Sequence, residues 1–410
     1  MARLLLLIPT PSYRTHDFLT AAERLGVEVV VGSDQRQVLA EVSGGTVEVD
    51  FKDTETAVRQ IAQYAAAAPF DAVVAVDDGA NIVAAAAAKA LGLPQNEPEA
   101  VLAARNKYRF RQRLAAAGLP GPEFRLVPLS GDPAKIAREV GFPCVLKPLT
   151  LAMSRGVIRA DGDNSFVDAF HRIAAIIAQP DADTPGEAAD HLLVESYIPG
   201  TEYAVEGLIR EGGMEILAVF DKPDPLDGPY FEETIYVTPA RIDAGRRRAI
   251  AEAVQAAVSA IGLADGPTHI DLRVNEAGVF VLEVDARSIG GYCGRSLRFA
   301  GGVRLEEVIL RQAAKLPLEV SEAGAGGVMM IPIPSSGVLR KVRGKEAAAA
   351  VGGVAEVAIT IPLGQPVLQL PEGSRYLGFI IAHGATPEAV TAALRQAHAA
   401  LAFIISPAEM

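Results

Sequence analysis

Residues 3–93 alternate short apolar runs with longer stretches whose apolar positions recur at helical spacing. This alternation predicts a small parallel α/β domain, because parallel strands are joined by crossover helices that cover the sheet. The expected strands are residues 4–8, 27–31, 47–49 and 72–76, and the expected helices are residues 15–25, 54–67 and 80–91. We assign this domain to residues 1–95.

The turn Asp77-Asp78-Gly79 follows the last of these strands. Open parallel sheets bind ligands at the carboxyl ends of their strands, so this turn is a candidate binding element. The alternative, in which Asp78 or Gly79 caps the following helix, is at least as well supported.

Two apolar runs within residues 269–287 carry three acidic residues. Asp271 lies on the first run, Glu283 and Asp285 lie on the second, and residues 275–278 form a turn between them. Carboxylates on one face of a hairpin repel one another unless a cation holds them together. Oxygen ligands of this kind suit Mg²⁺ that also carries phosphates. The simpler alternative is a solvated polar face of an edge hairpin.

Two lysines upstream stand in distinctive local patterns. Lys107 opens an amphipathic helix, and Lys147 ends a strand after the apolar run 142–146. A lone lysine is usually a solvated charge. An ammonium group at the end of a buried strand, however, needs an anionic partner, and phosphate is the natural candidate for Lys147.

Two further segments supply polar groups between these positions. Residues 149–157 predict a loop ending in Ser154-Arg155-Gly156, where a hydroxyl, backbone N–H groups and a guanidinium could face phosphate oxygens. Residues 191–209 predict strand, turn and strand, with Glu195 ending the first strand and Glu202 beginning the second. These two acids could equally cap a hairpin.

The remaining patterns divide the chain further. Residues 104–310 are rich in strands, but residues 246–261 predict a long helix. The apolar stripe of that helix consists of Ile250, Val254, Val258 and Ile261. Residues 321–330 are small and Gly-rich and predict a domain boundary. Beyond it, the expected strands are residues 328–334, 353–362 and 376–383, and the expected helix is residues 386–401.

Taken in order, the polar residues resemble the nucleotide site of the ATP-grasp superfamily over roughly residues 97–310. The matching residues are Lys107, Lys147, Ser154-Arg155-Gly156, Glu195, Ile198, Glu202, Asp271, Glu283, Asp285 and Arg287. The ordered set is far more specific than any of its pieces. The resemblance implies a multidomain protein of α/β and α+β class, with an ATP-grasp fold at residues 96–320.

The resemblance also implies a role for each residue. Lys107 and Lys147 would bind the phosphates of ATP, and a mobile loop with Ser154 and Arg155 would close over them. The adenine and ribose would be received by Glu195, the backbone of Ile198, and Glu202. The ligands of Mg²⁺ (or Mn²⁺) would be Asp271, Glu283 and Asp285. Arg287 would stabilise the reacting centre.

The C-terminal region, residues 326–410, resembles the C-terminal α+β domain of bacterial L-amino acid ligases, which are ATP-grasp carboxylate–amine ligases. In those ligases, the region corresponding to residues 220–242 supplies an acid that holds a substrate ammonium group, and Glu232 or Glu233 could serve here. The alternative, a solvated loop with proline-fixed turns, is about equally well supported.

Two departures from the family pattern are visible. The third metal ligand of the family is usually asparagine, whereas here it is Asp285, whose extra charge could raise metal affinity or weaken ATP binding. Ser288 is an extra residue in the Arg-Ile-Gly-Gly stretch of the amino acid ligases, and it leaves the placement of Gly290 and Gly291 open.

Composition narrows the setting. A chain of 410 residues predicts two or three domains, and no apolar run approaches the roughly 18 residues that a membrane helix needs. The formal net charge is −12, which argues against nucleic acid as a partner. Only Cys144 and Cys293 are present, so we expect no disulfide framework and a reducing cytoplasm. The Ala-rich helices and the C-terminal domain could bury a homodimer interface, but no pattern identifies one.

The expected function is an ADP-forming ligase that activates a small-molecule carboxylate as an acylphosphate and couples it to an amine. Two alternatives stay open. One is a different ATP-grasp activity, such as a purine-pathway ligase or a carboxylase. The other is a nucleotide-binding module without turnover, in which Asp285 in place of the usual asparagine would mark the loss of activity.

Overall fold

The computed structural model describes residues 2–10, 12–35, 44–182 and 184–407. Its N-terminal part is a parallel sheet covered by helices, as the alternating pattern predicts. The elements are β1 (Arg3–Leu7), α1 (Thr15–Leu25), β2 (Glu28–Ser33), β3 (Thr46–Glu48), α2 (Thr54–Ala65), β4 (Ala72–Ala75) and α3 (Asp78–Leu91). The strand order is β3-β2-β1-β4, and every described pairing is parallel. Leu5 and Leu7 of β1 pack toward α2 and α3, whereas Leu4 and Leu6 pack toward α1.

The next part is a small antiparallel sheet preceded by two helices. Its elements are α4 (Pro98–Arg105), α5 (Lys107–Ala116), β5 (Phe124–Pro128), α6 (Pro133–Ala137), β6 (Cys144–Pro148), β7 (Ile158–Ala160), α7 (Asp163–Ile177), α8 (Glu187–Asp190) and β8 (His191–Ser196). The strand order is β5-β8-β6-β7. Helix α7, which we did not predict, packs on this sheet through the buried side chains of Phe166, Phe170 and Ile173.

The largest sheet runs through the rest of the chain. Its middle elements are β9 (Thr201–Arg210), β10 (Gly213–Asp221), β11 (Ile235–Thr238), α9 (Ala244–Ile261), β12 (Gly266–Asn275), β13 (Gly278–Asp285) and α10 (Leu305–Ala313). Its C-terminal elements are β14 (Ala325–Ile331), β15 (Gly337–Arg343), α11 (Lys345–Ala349), β16 (Val354–Ile359), β17 (Pro366–Val367), β18 (Gly378–Gly384), α12 (Pro387–Ala400) and β19 (Ala402–Ser406). The order β13-β12-β9-β10-β11-β14-β18-β16 forms one continuous sheet, and β17, β15 and β19 form a smaller one.

Residues 321–330, where we predicted a domain boundary, contain the start of the buried strand Ala325–Ile331, which joins β11 to β18. Small residues are required there because a side chain on Gly326 would collide with the carbonyl of Ser296. The strands that contain Glu195 and Glu202 do not form a hairpin, because β8 and β9 belong to different sheets.

The predicted hairpin of β12 and β13 is confirmed, and so is the long helix behind it. Asn275 pairs with Gly278 at the turn, and Asp271 lies directly opposite Glu283. The predicted stripe of α9 packs against the rear of the central sheet, and each of its four residues is at most 1% exposed. Among the described residues, no helix combines the length and apolar character needed to cross a membrane.

We expect Ile250→Ala to destabilise the protein by about 2–5 kcal/mol, because it leaves a cavity between α9 and the sheet. Chemical denaturation with matched controls measures this change. Glu252→Ala, on the exposed face of the same helix, should change stability by less than about 0.5 kcal/mol. Equal midpoints for wild type and Ile250→Ala would contradict this packing.

Candidate active site

All of the parts of the fold described above contribute to one cleft of about 310 Å³. The small sheet and the loop 149–157 form one wall, and the central sheet forms the floor. The N-terminal domain contributes Tyr13, Asp77 and Asp78, and the C-terminal part contributes Met330, Tyr376 and Phe379. The cleft therefore has a polar end near β6 and β8 and an aromatic end near the terminal domains.

At the polar end, Lys147 belongs to a buried triad of charges. Its ammonium group lies 2.6 Å from Glu195 Oε2, and Arg111 Nε lies 2.6 Å from Glu195 Oε1. Burial alone would raise the pKa of Glu195, but the two cations outweigh it and lower that pKa to about 2. The pKa of Lys147 is lowered, because burial and the neighbouring cations outweigh the attraction of the carboxylate it shares with Arg111. Glu195 thus compensates the charged form of Lys147 only in part, and a further anion would stabilise it.

Lys107 is the first residue of α5, where the side chain of Asn106 caps the helix. Its ammonium group donates to Glu283 Oε1 at 2.8 Å and to the carbonyl of Leu151 at 2.9 Å. Burial opposes the charged form, but Glu283 outweighs it and raises the pKa of Lys107. The contact connects the loop 149–157 to the acidic hairpin.

Arg287 is held between two carboxylates from different domains. Its Nε lies 2.8 Å from Asp78 Oδ2, and its Nη2 lies 2.9 Å from Asp285 Oδ2. The turn after β4 therefore takes part in the cleft, as one sequence interpretation expects. The alternative, in which Asp78 or Gly79 caps the helix, is wrong, because both residues lie within α3 and Asp77 occupies the N-cap position. The extra charge of Asp285, compared with the usual asparagine, is paired with Arg287.

Lys222 follows β10 and was not singled out by sequence reasoning. Its ammonium group lies 2.8 Å from Glu202, 2.6 Å from Glu233 and 2.6 Å from Asp271. Burial opposes its charge, yet the three acids raise the pKa of Lys222 well above its usual value. Burial raises the pKa of Asp271 to about 7, because Lys222 is shared with two other carboxylates.

Glu202 has a second cation partner in Arg273, which lies two residues after Asp271. Arg273 Nε donates to Glu202 Oε2 at 2.9 Å, and its Nη1 donates to the carbonyl of Ile198 at 2.7 Å. The guanidinium also lies over the rings of Tyr197 and Phe231. Arg273 thus connects Glu202 to the backbone of Ile198 at the polar end of the cleft. The stacked rings of Tyr197 and Phe231 lie next to this contact.

A fully buried acid, Glu206, connects the floor to the segment after Arg287. Its Oε2 lies 3.2 Å from His269 Nδ1 and accepts the backbone N–H of Ile289 at 2.9 Å. Burial raises the pKa of Glu206. The extra residue Ser288 is anchored separately, because Arg14 of the N-terminal domain donates to its hydroxyl at 2.7 Å. These contacts fix the position of Gly290 and Gly291.

Gly290 and Gly291 both line the cleft. Gly291 has a φ of +64°, and a Cβ there would lie 2.8 Å from the ring of Phe379. Any larger residue at position 291 would therefore meet both a strained left-handed backbone and a collision with Phe379. The insertion of Ser288 leaves these glycines beside the aromatic end of the cleft.

Two predicted residues do not reach the cleft. Arg155 donates to Gln179 and Asp181, beyond the end of α7, instead of facing the site. Glu232 does not line the cleft, whereas Glu233 does. Ser154 lines it with a φ of +56°. The other predicted residues all line the same cleft: Lys107, Lys147, Glu195, Ile198, Glu202, Asp271, Glu283, Asp285 and Arg287.

The carboxylates fit a divalent cation in their chemistry. Asp271, Glu283 and Asp285 offer hard oxygen donors to one cleft, which are the ligands that Mg²⁺ and Mn²⁺ take. Each has a cation on one oxygen: Lys222, Lys107 and Arg287 respectively. Among the described residues, the tightest acidic group is a different one, Glu202, Glu233 and Asp271, whose oxygens lie within 4.8 Å of one another.

Three domain families match successive parts of this chain. The ATP-grasp N-terminal domain matches residues 19–95, the ATP-grasp domain matches residues 140–296, and L-amino acid ligase C-terminal domain 2 matches residues 329–406. The chain thus carries ATP-grasp domains followed by the C-terminal domain of L-amino acid ligases.

Comparisons that cover 74–99% of the chain agree with these domain matches. The crystal structure of an L-amino acid ligase from Bacillus licheniformis superposes with a TM-score of 0.81 at 27% identity, covering 99% of each chain. Alanine–anticapsin ligase of Bacillus subtilis (strain 168) is 26% identical over 326 residues, which are 74% of this chain and 67% of that protein. An uncharacterized protein of Sinorhizobium fredii is 25% identical over 416 residues, covering 99% of this chain and 84% of that protein. The family and fold expected from the sequence are confirmed.

We expect Glu195→Gln to destabilise the protein at neutral pH by roughly 3 kcal/mol, because Arg111 and Lys147 lose their shared carboxylate. The folded-state pKa of Glu195 lies below its usual value of 4.5, at about 2. The carboxylate therefore stabilises the fold above about pH 4.5, and this contribution is lost as the pH falls toward 2. Denaturation of both proteins between pH 7 and pH 2 should show the difference shrinking with acid.

Glu139→Gln is the matched control, because Glu139 pairs with Arg125 on the surface. It should leave stability almost unchanged, because exposed ion pairs contribute little. A difference between wild type and Glu195→Gln that stays constant down to pH 2 would contradict the assignment.

Proposed function

We propose that this protein is an ATP-dependent, ADP-forming ligase that activates a carboxylate as an acylphosphate and joins it to an amine, with amino acids as substrates. The observation that carries the proposal is the position of Arg287. It lies between the acidic hairpin and Asp78, where the polar and aromatic ends of the cleft meet. A cation at that point lies between a nucleotide site and an organic substrate site.

The polar end suits ATP. Lys147 and Lys107 both line the cleft and supply two largely buried cations for phosphate oxygens. Tyr197, Ile198 and Phe231 supply an apolar slot for a flat base. Glu202 lies at the same end; its side chain keeps 11% exposure beside Lys222 and Arg273, so it can also accept ribose hydroxyls. We assign Glu195 a supporting role, because its side chain is only 5% exposed and Lys147 and Arg111 engage both of its oxygens.

Asp271, Glu283 and Asp285 are the residues that would hold Mg²⁺ or Mn²⁺. When bound, the cation offsets the charge of the β- and γ-phosphate oxygens. Lys107, which pairs with Glu283 in this structure, would then be able to donate to a phosphate oxygen.

The reaction follows in two displacements. A carboxylate oxygen of the first substrate attacks the γ-phosphorus, the bond to the β-phosphate oxygen breaks, and ADP leaves. The neutral amine of the second substrate attacks the acyl carbon, and a proton leaves its nitrogen. Arg287 stabilises the tetrahedral oxyanion, and inorganic phosphate departs with the former carboxylate oxygen. The product is an amide.

Water must be excluded while the acylphosphate exists. The loop 149–157 covers the phosphate end, and the structure contains contacts that hold it down. Gly156 N–H donates to the carbonyl of Pro371 at 2.9 Å, and Arg172 of the small sheet pairs with Glu372 of the C-terminal part. We infer that the small sheet acts as the lid and that Ser154 moves with it.

The aromatic end supports a substrate with an organic side chain. Tyr13 packs edge to face on Tyr292, Tyr376 packs edge to face on Phe379, and the ring of Phe379 lies beside Gly291. The relatives whose names state an activity include a ligase that joins alanine to anticapsin and an L-amino acid ligase. Both names agree with amino acids as the substrates proposed here.

The direct test is ADP release by the purified protein with Mg²⁺ and ATP, against amino acids singly and in pairs, with mass spectrometry of the products. We expect release that needs both a carboxylate and an amine, together with a condensed product. Tight ATP binding without release for any pair would favour a nucleotide-binding module.

We expect Lys147→Ala and Glu283→Ala each to lower ADP release by at least about 100-fold, because the first removes a cation for the phosphate oxygens and the second removes a proposed metal ligand that also pairs with Lys107. Lys89→Ala is the matched control, since Lys89 is exposed and pairs with Glu97 on the surface of the N-terminal domain. Near-normal turnover in either cleft variant would contradict these assignments.

A further inference from the structure

The arrangement around Lys222 is unusual among the charged groups of the cleft. Its side chain is only 2% exposed, and its ammonium group meets one carboxylate from each of three separate segments. Glu202 lies on β9, Asp271 lies on β12, and Glu233 precedes β11. The ring of Tyr236 closes a fourth side, 4.7 Å from the nitrogen.

An ammonium group has three N–H donors, and all three have an acceptor here at 2.6–2.8 Å. No donor is left for a phosphate or for a substrate carboxylate. Lys222 therefore differs from Lys107 and Lys147, whose ammonium groups each pair with a single carboxylate. Its effect on the reaction must pass through the acids it holds.

Three carboxylates that converge within 4.8 Å are also what a divalent cation requires. A metal would need oxygens at roughly 2.0–2.6 Å, and its charge would lie where the ammonium nitrogen now lies. The two cations cannot share that position. As long as Lys222 occupies that position on Asp271 Oδ1, a metal is left with Asp271 Oδ2 and the oxygens of Glu283 and Asp285.

We propose that Lys222 is a positioning residue that serves as a built-in cation, holding Glu202, Glu233 and Asp271 together and keeping both a divalent metal and a substrate ammonium group out of their centre. Glu233 then acts through Lys222 instead of binding the substrate amine. The proposal rests on the proposed function in one respect, the assignment of Glu283 and Asp285 to the metal.

The test is the binding of Mn²⁺ without nucleotide, which does not depend on turnover. Lys222→Met should bind one more Mn²⁺ per chain than wild type in a titration followed by electron paramagnetic resonance. Adding Glu233→Gln to that variant should remove the gained site. Lys89→Met, which exchanges an exposed lysine, should match wild type. A folded Lys222→Met variant that binds no additional Mn²⁺ would overturn the proposal.

Wild-type crystals provide a test that does not require the variant to fold. After soaking in Mn²⁺ without nucleotide, the anomalous difference map should show no peak between Glu202, Glu233 and Asp271. A peak at that point would also overturn the proposal. Absence of ligase activity with every acid and amine would count against the proposed function, but it would leave both Mn²⁺ results unchanged.

Discussion

The need to pair buried charges governs this cleft. A carboxylate removed from water keeps its charge only beside a cation or strong hydrogen-bond donors. Each acid of the hairpin accordingly has a basic partner: Lys222 for Asp271, Lys107 for Glu283 and Arg287 for Asp285. Under the proposed function, ATP and a divalent cation would bind by exchanging partners within this set.

The same constraint connects the domains. Asp78 reaches Arg287 from the N-terminal domain, and Arg14 reaches Ser288 from the same side. The central sheet continues through β14 into the C-terminal part, so Phe379 lies beside Gly291 without an intervening hinge in that sheet. The small sheet, by contrast, meets the C-terminal part through Gly156 and Arg172. The proposed substrate end thus lies on one continuous sheet, whereas the proposed lid is built on a separate one.

Local patterns in the sequence predicted the N-terminal domain, the acidic hairpin, helix α9 and most of the acids of the cleft, but not helix α7. The hairpin of Asp271 and Glu283, the helix start at Lys107 and the strand end at Lys147 all follow from short-range spacing. The partners could not be predicted, because Arg111 on α5, Lys222 after β10 and Arg273 on β12 meet their acids only through the packing of segments that are distant in sequence. Arg155 shows the opposite case: a basic residue in the expected loop turns toward Asp181. Among the small residues at 321–330, Gly326 is required by close packing on the carbonyl of Ser296.

If the carboxylate is phosphorylated before the amine attacks, one of its oxygens must end in inorganic phosphate. The decisive measurement uses an acid labelled with ¹⁸O in its carboxyl group, together with the amine that supports ADP release. The inorganic phosphate formed should then carry ¹⁸O from that carboxyl group, because the bridging oxygen of the acylphosphate leaves with the phosphate. Phosphate free of the label, formed alongside the amide product, would contradict it.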